Sequence, residues 1–179
     1  MDELYYCYFD SPVGRLLMLG RQDKLTNLDF EIEQAAPNPK WILNENLPLF
    51  AQVKQALTRY FNGEAENFSD IPLAPQGTAF QQRVWQALRR IRHGETSTYG
   101  ALAVLIENPK AVRAVGGAVG SNPISIIIPC HRILGKDRAL TGFGGGLPVK
   151  RFLLQLEHID YKDKGVEYVK QKLLKKYKI

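Results

Sequence analysis

Residues 124–133 read Ile124-Ser125-Ile126-Ile127-Ile128-Pro129-Cys130-His131-Arg132-Ile133. An almost wholly apolar run that stops at a proline predicts a short buried strand, Ile124–Ile128. A thiol, an imidazole and a guanidinium follow it directly. A thiol becomes a nucleophile when a base or a positive field draws off its proton. In an extended segment neighbouring side chains point to opposite faces, so Cys130 and His131 need a bridging water or a local turn to pass that proton. By the logic of triads the imidazole then wants a carboxylate to hold its tautomer, and Glu157 is one candidate. The plainer alternative is a cysteine that merely fills the core.

Working upstream, Thr78 and Gln81 form a capping box ahead of Val84, Trp85, Leu88 and Ile91, with Gly94 closing the helix and His93 at its C-terminal end. Ser97 or Thr98 caps a second helix through Ile106. Asn108-Pro109 breaks the chain before a third, which runs to about Gly120. Two short helices and a tight turn have the form of a helix-turn-helix. The third helix carries Ala111, Arg113, Ala114, Gly116, Gly117, Ala118 and Gly120. Major-groove reading calls for Asn, Gln, Arg or Lys in quantity. A nearly bald surface with one arginine suits close approach in the minor groove instead, with Arg113 free to enter the base stack. Helix–helix packing through small residues is the other reading. Downstream, the glycine-rich loop Gly142–Gly146 precedes a helix begun by Pro148 and continued by Val149, Phe152, Leu153 and Leu156. Gly144-Gly145-Gly146 suits either a flexible hairpin or close backbone approach to a ligand.

The first 75 residues differ in character. Leu4–Phe9, Arg15–Gly20 and Leu25–Phe30 are strand-like, and Leu47, Phe50, Val53, Leu57 and Phe61 recur at helical spacing up to Gly63. Cys7 sits in the alternating run and reads as packing. Residues 63–77 are rich in Gly, Pro, Asn and acid, and read as a linker. Charge follows the same division. Residues 1–75 hold six Lys/Arg against eleven Asp/Glu, 76–160 eleven against five, and the tail 161–179 seven against two. A basic part beside an acidic one points to a polyanionic partner for the former. Two cysteines make no disulfide framework, no apolar run approaches a membrane span, and the acidic opening Met1-Asp2-Glu3 is unlike a signal peptide. The expectation is a cytoplasmic protein without a membrane partner. With three histidines and no Cys/His cluster at zinc spacing, no metal is expected.

The run Ile128–Ile133, with Arg113-Ala114-Val115-Gly116-Gly117 and Gly120-Ser121-Asn122-Pro123 before it, resembles the signature of the O6-alkylguanine-DNA alkyltransferases, and the stand-alone bacterial type most closely. The resemblance spans roughly Gly77 to Glu157. It implies an α+β chain with a ribonuclease-H-like N-terminal α/β domain (1–75), a helical, winged helix-turn-helix-like domain carrying the DNA-binding and active-site residues (76–160), and a basic C-terminal tail (161–179). Cys130 falls on the family's alkyl acceptor, His131 on the histidine that deprotonates it through a water, and Glu157 on the glutamate that orients that histidine. Asn122 matches the hinge asparagine. Tyr99 matches the tyrosine that steers the phosphate, helps flip the nucleotide and protonates the leaving guanine. Arg113 matches the arginine that fills the gap in the stack, with Ala114, Gly116, Gly117 and Ser121 against the DNA. Ile133, Phe143 and Gly144 would hold the flipped base.

The implied activity is repair by direct reversal. One alkyl group passes from O6-alkylguanine in double-stranded DNA, with O4-alkylthymine as a second lesion, to Cys130. The thioether has no good leaving group, so each molecule acts once. No cofactor is implied, and the chain is expected to be a monomer. Phe143 and Gly144 replace a tyrosine and a serine of several relatives, and Ser125 replaces a proline. The first two imply a backbone contact to the base in place of a hydroxyl one, and Ser125, with small loop residues around it, implies a roomier pocket. A sequence-specific regulator would need base-reading side chains on the 110–120 helix, a cysteine hydrolase would need a protease signature around Cys130, and a non-catalytic lesion sensor would lack the cysteine.

Overall fold

The structure, a computed structural model, describes residues 3–31 and 36–163. Its N-terminal part is a four-stranded sheet with one helix. Strands β1 (Tyr5–Ser11) and β2 (Gly14–Gly20) form an antiparallel hairpin with Cys7 opposite Met18, and β3 (Leu25–Asp29) pairs antiparallel with β2. The hairpin turn is tied by Ser11 Oγ donating to the Gly14 carbonyl at 2.6 Å. A fourth strand, β4 (Ile42–Leu43), pairs in parallel with β1 and gives the order β3-β2-β1-β4. At two residues it is too short to carry a period-two signal. Helix α1 (Pro48–Phe61) starts with proline in its first turn and buries Phe50, Val53, Leu57 and Tyr60.

The predicted linker is better anchored than its composition suggests. Phe68 and Ile71 are buried, and the segment is bonded to β3 by Leu25 N to the Pro72 carbonyl (2.9 Å) and Ala74 N to the Leu25 carbonyl (2.8 Å). Helix α2 (Ala79–Leu88) has the expected capping box at Thr78 and Gln81. It ends at Leu88 rather than at Gly94, so His93 and Gly94 lie in the following turn. The Ile91 carbonyl instead accepts from the Arg132 guanidinium at 2.7 Å. Ser97–Thr98 form a short strand, β5, parallel to β6 (Ile133–Leu134), and the Thr98 hydroxyl caps α3 (Tyr99–Leu105). Helices α4 (Val112–Gly120) and α5 (Leu147–Leu156) complete the basic part.

The stretch 124–128 is not a strand. Ile124 makes one isolated bridge to Leu28, and the chain then turns on itself with Ile127 N bonded to the Ser125 carbonyl and Ile128 N to that of Ile124. Ile126 sits at φ +70°, which a β-branched residue adopts only under constraint. The apolar run was a burial signal, and a tight buried turn satisfies it as well as a strand does. Cys130–Arg132 then form one turn of 3-10 helix, so the expected extended geometry gives way to the local turn. The core is continuous from Leu16 of the sheet through Tyr60 to Cys130 and Leu153. Cys7 is fully buried in it, and burial pushes its thiol up to about 11. The lysine-rich tail beyond residue 163 and its predicted helix lie outside the described residues.

Candidate active site

Cys130, 8% exposed, reaches a cavity of about 180 Å³. Its wall includes Tyr99 at the start of α3, Gly116 of α4, Asn122, Ser125, Phe143 and Gly144. That is below the roughly 300 Å³ at which drug-sized pockets begin. Asn122 fixes the loop under it: Nδ2 donates to the Ile128 carbonyl at 2.7 Å and Oδ1 accepts from Ile124 N at 3.0 Å. The glycine loop is held by Phe143, whose ring meets Phe30 edge-on at 5.4 Å. A Cβ at Gly145 would come within 2.5 Å of Phe30, so only glycine lets the loop close there. The Tyr99 and Thr141 hydroxyls lie 3.3 Å apart.

His131 is fully buried, with Nε2 2.6 Å from Glu157 Oε2. The carboxylate also accepts from Tyr60 Oη on Oε2 at 2.6 Å, and on Oε1 from Arg132 Nε at 2.7 Å and Gly94 N at 3.1 Å. Burial alone would raise Glu157's pKa. The hydrogen bonds from His131 and Arg132, with the charge of Arg132, outweigh it and hold the carboxyl well below its ordinary range. Burial pulls His131 below its usual value, against the opposing pull of Glu157. A charged carboxylate beside a neutral imidazole fixes the tautomer: Nε2 carries the proton and Nδ1 the lone pair. Nδ1 is buried without a protein partner.

Two residues of this cluster were missed in the sequence. Tyr60 stands three residues after Leu57 on the buried face of α1, yet Phe61, the half-buried neighbour, was assigned to that face. Lys150 shares the apolar stripe of Leu147 and Leu154 and is 1% exposed. Its ammonium donates to the Ile133 carbonyl (2.6 Å) and the Thr141 hydroxyl (3.0 Å). Burial brings its pKa down to about 8, against the opposing influence of Cys130. A lysine at an apolar helix position was the available signal.

Other expected residues are placed as follows. Arg113, Ala114 and Gly117 are exposed on α4, opposite Val115, Ala118 and Val119, which are buried. Gly116 lies under the Tyr99 ring, while a Cβ at Gly117 or Gly120 would meet nothing within 4 Å. Ser121 Oγ donates to the Ala118 carbonyl at 3.1 Å and accepts from Gln81 Nε2 at 3.2 Å. Ile133 is fully buried in β6 and is not part of the cavity wall. A larger groove, about 800 Å³, passes Arg89, Arg92 and His93 and does not contain Cys130. Among the described residues no group of three or more His, Cys, Asp or Glu could hold a metal ion, and no helix is long and apolar enough to cross a membrane.

A ribonuclease-like sheet part, a helix-turn-helix part and a cysteine backed by histidine and glutamate together define a DNA-binding protein with a thiol centre. Residues 4–75 match the ribonuclease-like domain, and residues 79–159 the DNA-binding domain, of 6-O-methylguanine DNA methyltransferase. The chain belongs to this family. It is 68% identical over 177 residues to the methylated-DNA–protein-cysteine methyltransferase of Haemophilus influenzae, covering 99% of both chains. It is 43% identical over 164 residues to the constitutive one of Bacillus subtilis, covering 89% of this chain and 99% of that one. Among solved structures it is similar to Mycobacterium tuberculosis OGT in complex with DNA, with TM-score 0.79, 46% identity, and 86% and 92% of the two chains covered.

Proposed function

We propose that this chain repairs alkylated DNA by taking the O6-alkyl group of guanine onto Cys130, once per molecule. The observation that carries the reading is the thiol at the cavity floor with a buried, neutral imidazole on the next residue, oriented by an ionised carboxylate. The reacting oxygen lies within the base stack, so the nucleotide must be flipped out, at a cost of a few kcal/mol that is least for a damaged pair. Helix α4 offers the surface for this. Its exposed glycines let backbone approach the minor groove, and Arg113 fills the gap left in the stack.

In the transfer step the Cys130 sulfur attacks the alkyl carbon in line. A sulfur–carbon bond forms, the carbon–O6 bond breaks, and its electron pair stays on guanine. The thiol proton goes to Nδ1 of His131 through a bridging water, and the Tyr99 hydroxyl supplies a proton to the leaving base. Asn122 ties α4 to the cysteine turn, Ala114, Gly116, Gly117 and Ser121 bear on the DNA, and Phe143 and Gly144 hold the base. Ile133 enters only through its carbonyl, which anchors Lys150. The same pocket takes O4-alkylthymine. The working form is a cytoplasmic monomer that needs no cofactor, since the alkyl group comes from the DNA. The division at 1–75 and 76–160, with a basic tail from 161, is supported by the spans of the two family matches.

The test is intact-protein mass spectrometry after incubation with duplex DNA carrying O6-methylguanine. A gain of one methyl group, mapped to the Cys130 peptide and absent in Cys130→Ala, is expected. No gain under reducing conditions ends the proposal.

A further inference from the structure

We propose that Tyr60, on the α1 helix of the sheet part, is a positioning residue for the thiol chemistry. Its hydroxyl donates to Oε2 of Glu157 and thereby keeps His131 in the uncharged form that accepts the thiol proton. The proposal rests on Cys130 being the acceptor. Tyr60 is fully buried and lies 97 residues away from Glu157 in sequence, yet Oη is 2.6 Å from Oε2. The same oxygen lies 2.6 Å from His131 Nε2, and Oη is 3.5 Å from that nitrogen. Phenol and imidazole therefore share one acceptor atom.

That sharing has an electrostatic consequence. A phenol O–H that donates to a carboxylate takes up part of its negative charge. The charge left on Oε2 sets how strongly an imidazolium at Nε2 would be stabilised. With the hydroxyl in place, the imidazolium gains less from Glu157. Other groups facing the imidazole act in the same direction: Arg132 from its own turn and Lys150 from α5 both disfavour a second positive charge. Cys130 is its neighbour in the turn, and His93 packs edge-on against the Tyr60 ring at 6.0 Å. Tyr60 is the member of this set contributed by the sheet part.

The geometry assigns Tyr60 a direct task as well. Oε1 is fixed by Arg132 and Gly94, and Oε2 by Tyr60 and His131. Removing the hydroxyl leaves Oε2 held by His131 alone. The sheet part then holds the active-site region by packing and by the β3 bonds of Leu28 N to the Pro123 carbonyl and Ser125 N to the Leu28 carbonyl.

Two readouts on the full chain test this, neither of them using damaged DNA. One is the titration midpoint of His131 by nitrogen-correlated NMR of ring-labelled histidines. The other is the acid limb of the rate at which Cys130 reacts with iodoacetamide, mapped by mass spectrometry. In Tyr60→Phe both should move up by about one pH unit, the scale of a hydrogen bond to a charged group. Replacing Tyr60 with 3-fluorotyrosine, a stronger donor of nearly the same shape, should move both down, which keeps the test valid if the Phe variant folds poorly. A lowered melting temperature with both midpoints unmoved would overturn the proposal and leave Tyr60 a packing residue. If wild-type protein takes no methyl group from DNA yet these midpoints shift as stated, the acceptor reading has failed and the Tyr60 assignment has not.

Discussion

The α4 helix carries glycine where its fold needs none. Gly117 lies mid-helix with helical backbone, and a Cβ there would meet no atom within 4 Å. Glycine in a helix interior costs about 0.8–1.0 kcal/mol relative to alanine. Gly117→Ala should therefore stabilise the protein by close to that amount. For a chain of this size, 1 kcal/mol corresponds to roughly 2–4 °C in Tm. Function should move the other way. The methyl group would project from the exposed face shared with Arg113 and Ala114 and hold the backbone off the groove. Calorimetry reads the first effect. Fluorescence anisotropy with a labelled duplex at fixed salt reads the second, with a Kd several-fold weaker than wild type. Iodoacetamide reactivity of Cys130 is the control and should not change, since Gly117 is outside the cavity wall. A variant that melts higher and binds DNA as well as wild type would refute the inference that this glycine serves contact. One that melts lower would refute the claim that the position is unconstrained by folding.

Three further outcomes follow from the site. Lys150 titrates near 8 when folded against an ordinary 10.5, so between those values the unfolded chain holds a proton the folded one lacks and stability rises with pH. Urea midpoints of wild type and Lys150→Met measured from pH 7.5 to 10.5 should show that rise in the wild type and not in the variant. Glu157→Gln places an amide NH₂ among four donors and should cost about 3–5 kcal/mol, the scale for breaking a buried ion pair, read from urea denaturation. Ser125 and Gly144 are small residues in the cavity wall, so inactivation by O6-benzylguanine should proceed without steric rejection; strong preference for methyl in a competition assay contradicts this.

Legibility differed sharply between local signals and long-range ones. The capping box at Thr78 and Gln81 and the strands β1 and β2 were readable because their signals lie within a few residues or alternate with period two. The stretch before the cysteine was misread because Ile124–Ile128 announces burial without shape, and a strand and a tight turn bury isoleucine equally well. The pairing of His131 with Glu157 needed the family resemblance, since the 26-residue separation spans a loop and a helix. Tyr60 was out of reach for a different reason. An aromatic on the apolar stripe of α1 looks like packing, and only the three-dimensional approach to Glu157 gives its hydroxyl a partner.

That approach bears on why the two parts share one core. A buried carboxylate with four donors is no more stabilising than apolar packing of the same volume. Its value lies in where it puts the His131 ring. The donors come from α1, from the turn after α2 and from the cysteine turn, and the carboxylate sits just past the end of α5. No one of these segments can place Oε2 alone. The Tyr60 hydroxyl reaches Oε2 through the docking of the sheet part, and the apolar continuity from Leu16 through Tyr60 to Cys130 is what holds it there. A protein that uses its cysteine once gains nothing from turnover, so readiness of the thiol before the lesion arrives matters more than recovery after it.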